Sequence, residues 1–553
     1  MTILQSDVKM YASGRMTDYA DGGGRMSPTV IVDGLDNNAF PDVTDIDRLM
    51  GRSNVRKLFG AVISNNTDPY LSAFAFLDDA PDDSAIDGLL VAYGNYATER
   101  AAVAAAFAVA PTYTNIPGTA PLASTIVFTG AFIYDEWNFT VTAASATITS
   151  GAMSGNAVYL VVGEPITITV AGVTYARTIS SITPADAGNS YTLSIGLDAT
   201  LPVSGSGCPL RRLRATNPRA YGVGISSAGA SSGASSITVD QVFARLVPVD
   251  LASAYPTASN SQWLVAPVYY NRSQGQVQVI QPGDGLLIHS TIAMSPATVS
   301  NGQTVNTTRT TLARLRVIGD NGVEHARFTR GVTAPTGVGC TADLDAGTVT
   351  FSDVSGMSQP VTVEHRIEEM VAASTVSVGS GAIGLNRNLS RTFPADTKVS
   401  SLAMLGDLVG RVWGMFPQSA WTGVFSDAVI GGTPTADFND TLYPVVTTNK
   451  GAITERWALV FTNTTAFRCI GELTGEITGG NTAIDYAPTN PVTSAPYFTI
   501  PTSGWGSGWA AGNVLRFNTD GCNSPLWLIR TIAPSVPGGT DSMTAEFRGY
   551  VNA

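Results

Sequence analysis

Three glutamates near the middle of the chain are the best placed for acid–base chemistry. Glu364, Glu368 and Glu369 lie close together in sequence, and two carboxylates can divide the acid and base roles of a glycan hydrolase. The surrounding residues alternate between polar and apolar, as a half-buried strand does. We therefore interpret these glutamates as the solvent face of a strand, and we keep a hydrolase using Glu364 or Glu368 as an alternative.

Histidine and cysteine are rare and widely spaced. A Ser-His-Asp set built on His289, His325 or His365 would need distant residues to meet, so we interpret the histidines as exposed or hydrogen-bonded strand residues. The cysteines lie too far apart for the ligand spacing of a zinc site, which predicts free, buried thiols and no cofactor. They are Cys208, Cys340, Cys469 and Cys522.

A run of acidic residues precedes a basic cluster near the start of the chain. The oxygen-rich stretch from Asp33 to Asp47 lacks the ligand spacing of an EF-hand, so helix capping and turns are favoured over calcium. Separated charges can supply the two different halves of a contact between identical subunits. The predicted contact residues are Asp42, Asp45, Asp47, Arg48, Arg52, Arg56 and Lys57.

Two tryptophans among glycines form a second candidate surface. Trp505 and Trp509 are separated by Gly-Ser-Gly, and aromatic side chains beside glycines are typical of close packing at subunit interfaces. We predict that both contribute to contacts between subunits. In the alternative, a receptor-binding module, they stack on surface glycans together with Trp421 and Tyr497.

Short helices are expected in the first 110 residues. Thr44 or Asp45 can cap a helix over 42–50, and Gly51 ends it. A second, Ala-rich helix is predicted over 97–110, before Pro111.

Alternating Thr- and Val-rich segments predict a mostly β fold with several sandwich or barrel-like domains and a small mixed α/β N-terminal region. Gly172 and the pair Asn321-Gly322 each lie between two such segments and predict hairpins. We predict a docking domain over 1–110 and β domains over 111–252, 253–370 and 371–553.

Composition limits the partners of the chain. Charged residues make up 13% of the 553 positions, about half the usual share, which favours a surface covered by partner subunits. The net charge of -12 opposes direct binding to nucleic acid. No segment reaches the apolar length that spans a bilayer, and the start of the chain has no export signal, so we predict synthesis in the cytoplasm and no membrane insertion.

Three stretches carry a resemblance to poorly characterised tail structural proteins of tailed bacteriophages and prophages. They are residues 16–62 (MTD, DGGGRM and DGLDNNAFPDVTDIDRLMGRSNVRKLFGAV), 453–477 (ITERWALVFTNTTAFRCIGELTGEI) and 496–519 (PYFTIPTSGWGSGWAAGNVLRFNT). The resemblance implies a non-enzymatic virion protein of the tail tip or baseplate that contacts copies of itself and other tail proteins. The host surface is a further partner under the receptor-binding alternative.

Overall fold

The computed structural model describes residues 3–108, 131–245 and 276–551, apart from 33, 36, 151–152, 155–164, 188–189, 217, 333–334, 338, 378–379, 534 and 537–541. About 50% of the chain is strand and 4% is helix, so the predicted mostly β fold is confirmed. The domain boundaries predicted after residues 110 and 252 lie outside the described residues.

Two short helices occur among the early strands: α1 (Asp45–Met50) and α2 (Arg100–Ala108). The first strands are β1 (Val8–Arg15), β2 (Gly23–Val30), β3 (Arg52–Val62), β4 (Tyr70–Asp79), β5 (Ile86–Val91), β6 (Ala131–Val141), β7 (Thr147–Ser150), β8 (Met153–Ser154), β9 (Pro165–Val170), β10 (Val173–Ala187), β11 (Ser190–Leu197), β12 (Gly205–Thr216), β13 (Ala220–Tyr221), β14 (Val223–Ser226), β15 (Ser236–Thr238), β16 (Phe243–Arg245), β17 (Gln276–Gln278) and β18 (Gly285–Ala293). The later strands are β19 (Thr304–Asn306), β20 (Arg314–Gly319), β21 (Glu324–Thr329), β22 (Thr336–Gly337), β23 (Cys340–Asp343), β24 (Thr348–Phe351), β25 (Val361–Ser377), β26 (Ala382–Leu385), β27 (Thr397–Ser401), β28 (Ala403–Leu408), β29 (Arg411–Gln418), β30 (Glu455–Phe461), β31 (Ala466–Gly471), β32 (Gly475–Asn481), β33 (Thr489–Asn490), β34 (Ala495–Pro496), β35 (Val514–Asp520), β36 (Asn523–Ile532) and β37 (Thr544–Tyr550).

Helix α1 begins and ends as its residues predict. The Thr44 hydroxyl accepts a hydrogen bond from the Asp47 N–H at 3.2 Å, and the Asp47 carboxylate accepts one from the Thr44 N–H at 3.0 Å. This reciprocal capping satisfies donors that the first helical turn leaves open. Gly51, with φ of 70°, ends the helix in a conformation that favours glycine.

Both predicted hairpins are confirmed. Ala171 and Gly172 join β9 to β10, and both have positive φ, at 50° and 80°. This is the backbone twist that a two-residue hairpin turn requires. Asn321 and Gly322 lie in the turn between β20 and β21, where Gly322 has φ of 77°.

The strands form seven sheets. Their orders are β13-β5-β36-β3-β1-β2; β12-β9-β10-β11-β7-β6-β17-β16, with β8 on β11; β14-β27-β18-β25-β20-β21-β22, with β26 on β25 and β15 on β26; β19-β24-β23; β28-β4-β37; β29-β35-β30-β31-β32; and β33-β34. In the second sheet β12 also pairs with β6, so the sheet curls into a nearly closed barrel. Ile168, Ile195 and Leu210 are among its buried core residues.

The beginning and the end of the chain share two sheets. Strand β3 lies between β1 and β36, and β4 lies between β28 and β37. Strand β25 runs through residue 370, which was predicted to be a domain boundary. Strands of the predicted segments 1–110 and 371–553 are therefore paired in the same sheets. The sequence does not predict this pairing, because strands hundreds of residues apart share no local pattern.

Candidate functional site

Asp18 lies at the centre of a buried group of charges that joins the first strands. Its carboxylate accepts hydrogen bonds from Arg52 at 2.8 Å, from Asn54 at 2.9 Å and from Arg56. Arg100 lies 3.7 Å away. We call Asp18, Asp47, Arg52, Arg56 and Arg100 the Asp18 cluster. Burial by itself raises the pKa of Asp18, but the hydrogen bond and charge of Arg56, with the charge of Arg100, outweigh it and lower the pKa below 3.8.

Arg52 connects the Asp18 cluster to helix α1. It donates one hydrogen bond to Asp47 at 2.8 Å and another to Asp18 at 2.8 Å. Burial opposes ionisation of Asp47, but the hydrogen bonds from Arg52 and Thr44 lower the pKa of this carboxyl. Asp47 therefore caps its own helix and anchors that helix to β3.

Arg48 and Lys57 are enclosed beside this cluster. Arg48 is 3% exposed and donates to Asp83 at 2.6 Å and to Ser535 at 3.2 Å. The fully buried Lys57 ammonium, which has three N–H donors, lies within hydrogen-bond distance of four backbone carbonyls, at 2.8–3.1 Å. It also lies 4.9 Å from the ring centroid of Phe59. Burial lowers the pKa of Lys57 to about 7, although the charge of Glu99 opposes the shift.

These positions correct the predicted contact between subunits. The buried or internally paired residues are Asp47, Arg48, Arg52, Arg56 and Lys57. Their side chains hold strands of one subunit together, so they are not available to a neighbour. Only Asp42 and Asp45 of the predicted set are exposed. The sequence of a charge run does not show whether its side chains are buried or exposed. Asp18, which accepts hydrogen bonds from Arg52 and Arg56, precedes Arg52 by 34 positions, so no local pattern predicts this pairing.

The glycine-flanked tryptophans belong to an aromatic core. Trp509 is 4% exposed and stacks on Phe461, with ring centroids 4.4 Å apart. Trp505 is half-buried and meets Phe438 edge to face at 5.0 Å. The Trp509 cluster comprises Phe438, Phe461, Phe467, Trp505 and Trp509. The predicted subunit contact is corrected for Trp509, which is buried within the subunit, whereas the contact of half-buried Trp505 stays a prediction.

The other two aromatic residues proposed to stack on glycans are also packed internally. Tyr497 is 6% exposed and lies 5.4 Å from Trp457. Trp421 is half-buried between Phe425 and the guanidinium of Arg516, at 5.0 and 5.4 Å. Of the four side chains in the receptor-binding alternative, Tyr497 and Trp509 are buried, and Trp421 and Trp505 are partly covered by other side chains of the subunit.

The glutamates of β25 are neutralised by arginines and hydrogen-bond donors rather than facing solvent. Glu364 lies 3.1 Å from Arg316. Glu368 lies 2.6 Å from Arg366 and 2.9 Å from Arg548. Glu369 is 7% exposed and accepts from the Ser390 N–H at 3.0 Å. The predicted solvent-facing positions are thus corrected, because neighbouring strands cover this one.

The fold brings together a Ser-His-Asp set that sequence reasoning missed. His289 Nδ1 lies 3.7 Å from Asp78, and His289 Nε2 lies 3.1 Å from the Ser400 hydroxyl. The residues come from β18, β4 and β27, so no local motif marks them. Burial, reinforced by the charge of Arg366, lowers the pKa of His289 well below 6.5.

Its geometry does not fit nucleophilic catalysis. Ser400 Oγ donates to the Leu77 carbonyl at 2.6 Å. A hydroxyl has one hydrogen, so His289 must donate to Ser400 and cannot accept its proton. Ser400 is fully buried and His289 is 1% exposed, which keeps a substrate from Oγ. The set fastens β4 to β18 and β27.

The described residues contain no cluster of His, Cys, Asp and Glu side chains arranged to hold a metal ion. For the calcium alternative, Asp33 and Asp36 lie outside the described residues. All four cysteines are free and buried.

A cavity of about 290 Å³ lies against β1 and β2 and is lined by Ser13, Met16, Ser27, Thr29 and Asn38 among others.

Neither described helix has the length and apolar character needed to span a bilayer.

Comparison with protein-family models and with curated proteins found no match to the chain.

Proposed function

We propose that this chain is a structural subunit of a tailed-bacteriophage virion, placed in the tail tip or baseplate, where it contacts copies of itself and other tail proteins. The virion and tail placement rests on the resemblance of residues 16–62, 453–477 and 496–519 to tail structural proteins. The architecture supports the broader part of the proposal, a subunit of an assembly.

The observation that carries the assembly role is the way charged and apolar side chains are distributed. The Asp18 cluster and the arginine-paired glutamates of β25 place charge inside the subunit. In the described residues, nineteen large apolar side chains are exposed, including Leu49, Trp413 and Leu442. A chain with so little charge and this many exposed apolar groups is suited to contacts with other subunits.

Mechanical continuity is a second support. Strand β3 pairs along its length with β36, from Arg52 opposite Ile532 to Ala61 opposite Asn523. Because β3 and β36 are joined in one sheet, the first and last parts of the chain cannot separate without breaking many backbone hydrogen bonds. A fixed shape of this kind suits a part that transmits geometry between neighbours.

Cryo-electron microscopy of particles made by the genome that encodes this chain tests the proposal. We expect copies of the fold in symmetric density of the tail, with mass spectrometry detecting the chain at a fixed ratio to other tail proteins. Particles that are complete and infective without the chain would contradict a structural role. Location in the head would retain the assembly role and contradict the tail placement.

The hydrolase alternative has a direct test. Purified chain incubated with host polysaccharide or peptidoglycan should release no fragments, because Glu364 and Glu368 are ion-paired. Fragment release that is lost on Glu368→Gln would establish an enzymatic function instead.

A further inference from the structure

Helix α1 buries charged side chains and exposes apolar ones. A helix on the surface of a protein normally buries its apolar side and exposes its charges. In α1 the charged residues Asp47 and Arg48 are 6% and 3% exposed, whereas Ile46 and Leu49 are 70% and 72% exposed. Packing against the part of the chain that the structure describes therefore does not account for the apolar side of this helix.

The helix is held firmly in this orientation. Asp47 is bound by the Thr44 cap and by Arg52, and Arg48 is bound by Asp83 and Ser535. Rotating α1 to bury Leu49 would break both ion pairs and leave the partner charges buried, which is costly. The exposure of Ile46 and Leu49 follows from the anchoring on the opposite side of the helix.

The exposed side has a definite chemistry. Ile46 and Leu49 are three residues apart, and Asp45 and Leu49 are four apart, so the three share one side of the helix. Asp45 and the preceding Asp42 are exposed carboxylates. We call Asp42, Asp45, Ile46 and Leu49 the α1 surface. Two apolar groups, with one negative charge on the same side of the helix and a second in the segment that precedes it, complement a partner that carries apolar and basic side chains.

The α1 surface is better suited to a different protein than to a second copy of the chain. In a symmetric contact between two copies, Asp42 and Asp45 would face the same carboxylates of the other copy and repel them. A basic partner is attracted by the same charge.

We infer that the α1 surface is a docking site for a basic, apolar segment of another protein of the particle. The inference rests on the proposed function for the identity of the assembly, and on the geometry of α1 for the surface. Asp42 and Asp45 steer the partner, and Ile46 and Leu49 supply the buried contact.

A binding measurement with the full-length chain tests the chemistry. The probe is an amphipathic helical peptide of about 15 residues made of Leu and Lys, compared with a Leu and Glu peptide of the same length. We expect binding of the Lys peptide alone, weakened at least about tenfold by Ile46→Ser with Leu49→Ser. The matched control is Leu442→Ser, because Leu442 is 70% exposed outside the α1 surface, and it should bind as the unaltered chain does.

Equal binding by all three proteins, or preference for the Glu peptide, would overturn the inference. Asp42→Lys with Asp45→Lys should weaken binding of the Lys peptide and remove most of its salt dependence. Unchanged binding by this charge variant would contradict the predicted basic partner. The unaltered chain could instead form oligomers that dissociate on Leu49→Ser. That result would show that a second copy occupies the surface, and it would overturn the choice of partner.

Incorporation into particles separates this inference from the proposed function. If the unaltered chain and Leu442→Ser enter particles and Ile46→Ser with Leu49→Ser does not, both are supported. If all three enter equally, the docking site is wrong and the structural role stands. If the unaltered chain itself is absent from particles, the proposed function fails. Circular dichroism of each purified variant confirms that the loss is not a folding defect.

Discussion

The Asp18 cluster and the Trp509 cluster are both packed within the chain, but different interactions stabilise them. Asp47, Arg52 and Arg56 of the first cluster and the two tryptophans of the second were predicted to contact a neighbouring subunit, but most of these side chains are buried within the chain. The first consists of charges whose partners are fixed in number and direction. The second consists of aromatic rings in contact with one another. Removing one charge from the first leaves others unpaired, whereas removing a ring from the second leaves a cavity.

The largest expected effect comes from Asp18→Ala. The substitution leaves Arg52 and Arg56 without their shared carboxylate in a buried site, and we expect a loss of about 3–5 kcal/mol in the free energy of unfolding. Urea unfolding of the purified chain measures it. Asp45→Ala is the matched control, since Asp45 is exposed, and it should change stability by less than about 0.5 kcal/mol. Similar values for the two variants would show that the cluster does not support the fold.

A smaller loss is expected from Trp509→Leu. The indole stacks on Phe461, and replacing it with a smaller apolar group costs about 2–3 kcal/mol through lost contacts and a cavity. The control is Trp413→Leu, because Trp413 is 43% exposed. If both substitutions cost the same, the Trp509 cluster is not a core.

Acid pH distinguishes the two clusters. The pKa of Asp18 in the folded chain lies below its ordinary value of 3.8. Its ionised form therefore adds stability that is present above pH 3.8 and lost as the pH falls through the lowered folded-state value. Asp18→Asn should cost about 1–3 kcal/mol at pH 7, with a difference from the unaltered chain that shrinks in acid. Trp509→Leu, measured by the same unfolding titrations, should cost the same at each pH.

The smallest effect is expected at the cap of α1. Thr44→Ala removes the hydroxyl that accepts from the Asp47 N–H and should cost about 1 kcal/mol. Thr44→Ser retains the hydroxyl, so it should keep most of the stability that Thr44→Ala loses. Thermal unfolding of the three proteins measures the difference. A full loss with Ser would mean that the methyl group of Thr44 matters more than its hydrogen bond.

The sequence predicted the features that depend on neighbouring residues. Thr44 and Gly51 delimit α1, Ala171-Gly172 and Asn321-Gly322 turn hairpins, and alternation marks strands such as β20, whose burial alternates residue by residue. Each depends on φ preferences, capping or strand periodicity, which act within a few residues.

Only the tertiary structure decided which way the candidate residues face. Arg52 and Arg56 turn inward because Asp18 arrives from an earlier segment, and Ile46 and Leu49 turn outward because the other side of α1 is anchored. Asp78, His289 and Ser400 meet from three strands without forming an open site. The mostly β composition and the local turns were determined by the sequence alone. Burial and partnership were decided by long-range strand pairing, because a charge or a ring has the same local pattern whether it faces solvent or a partner.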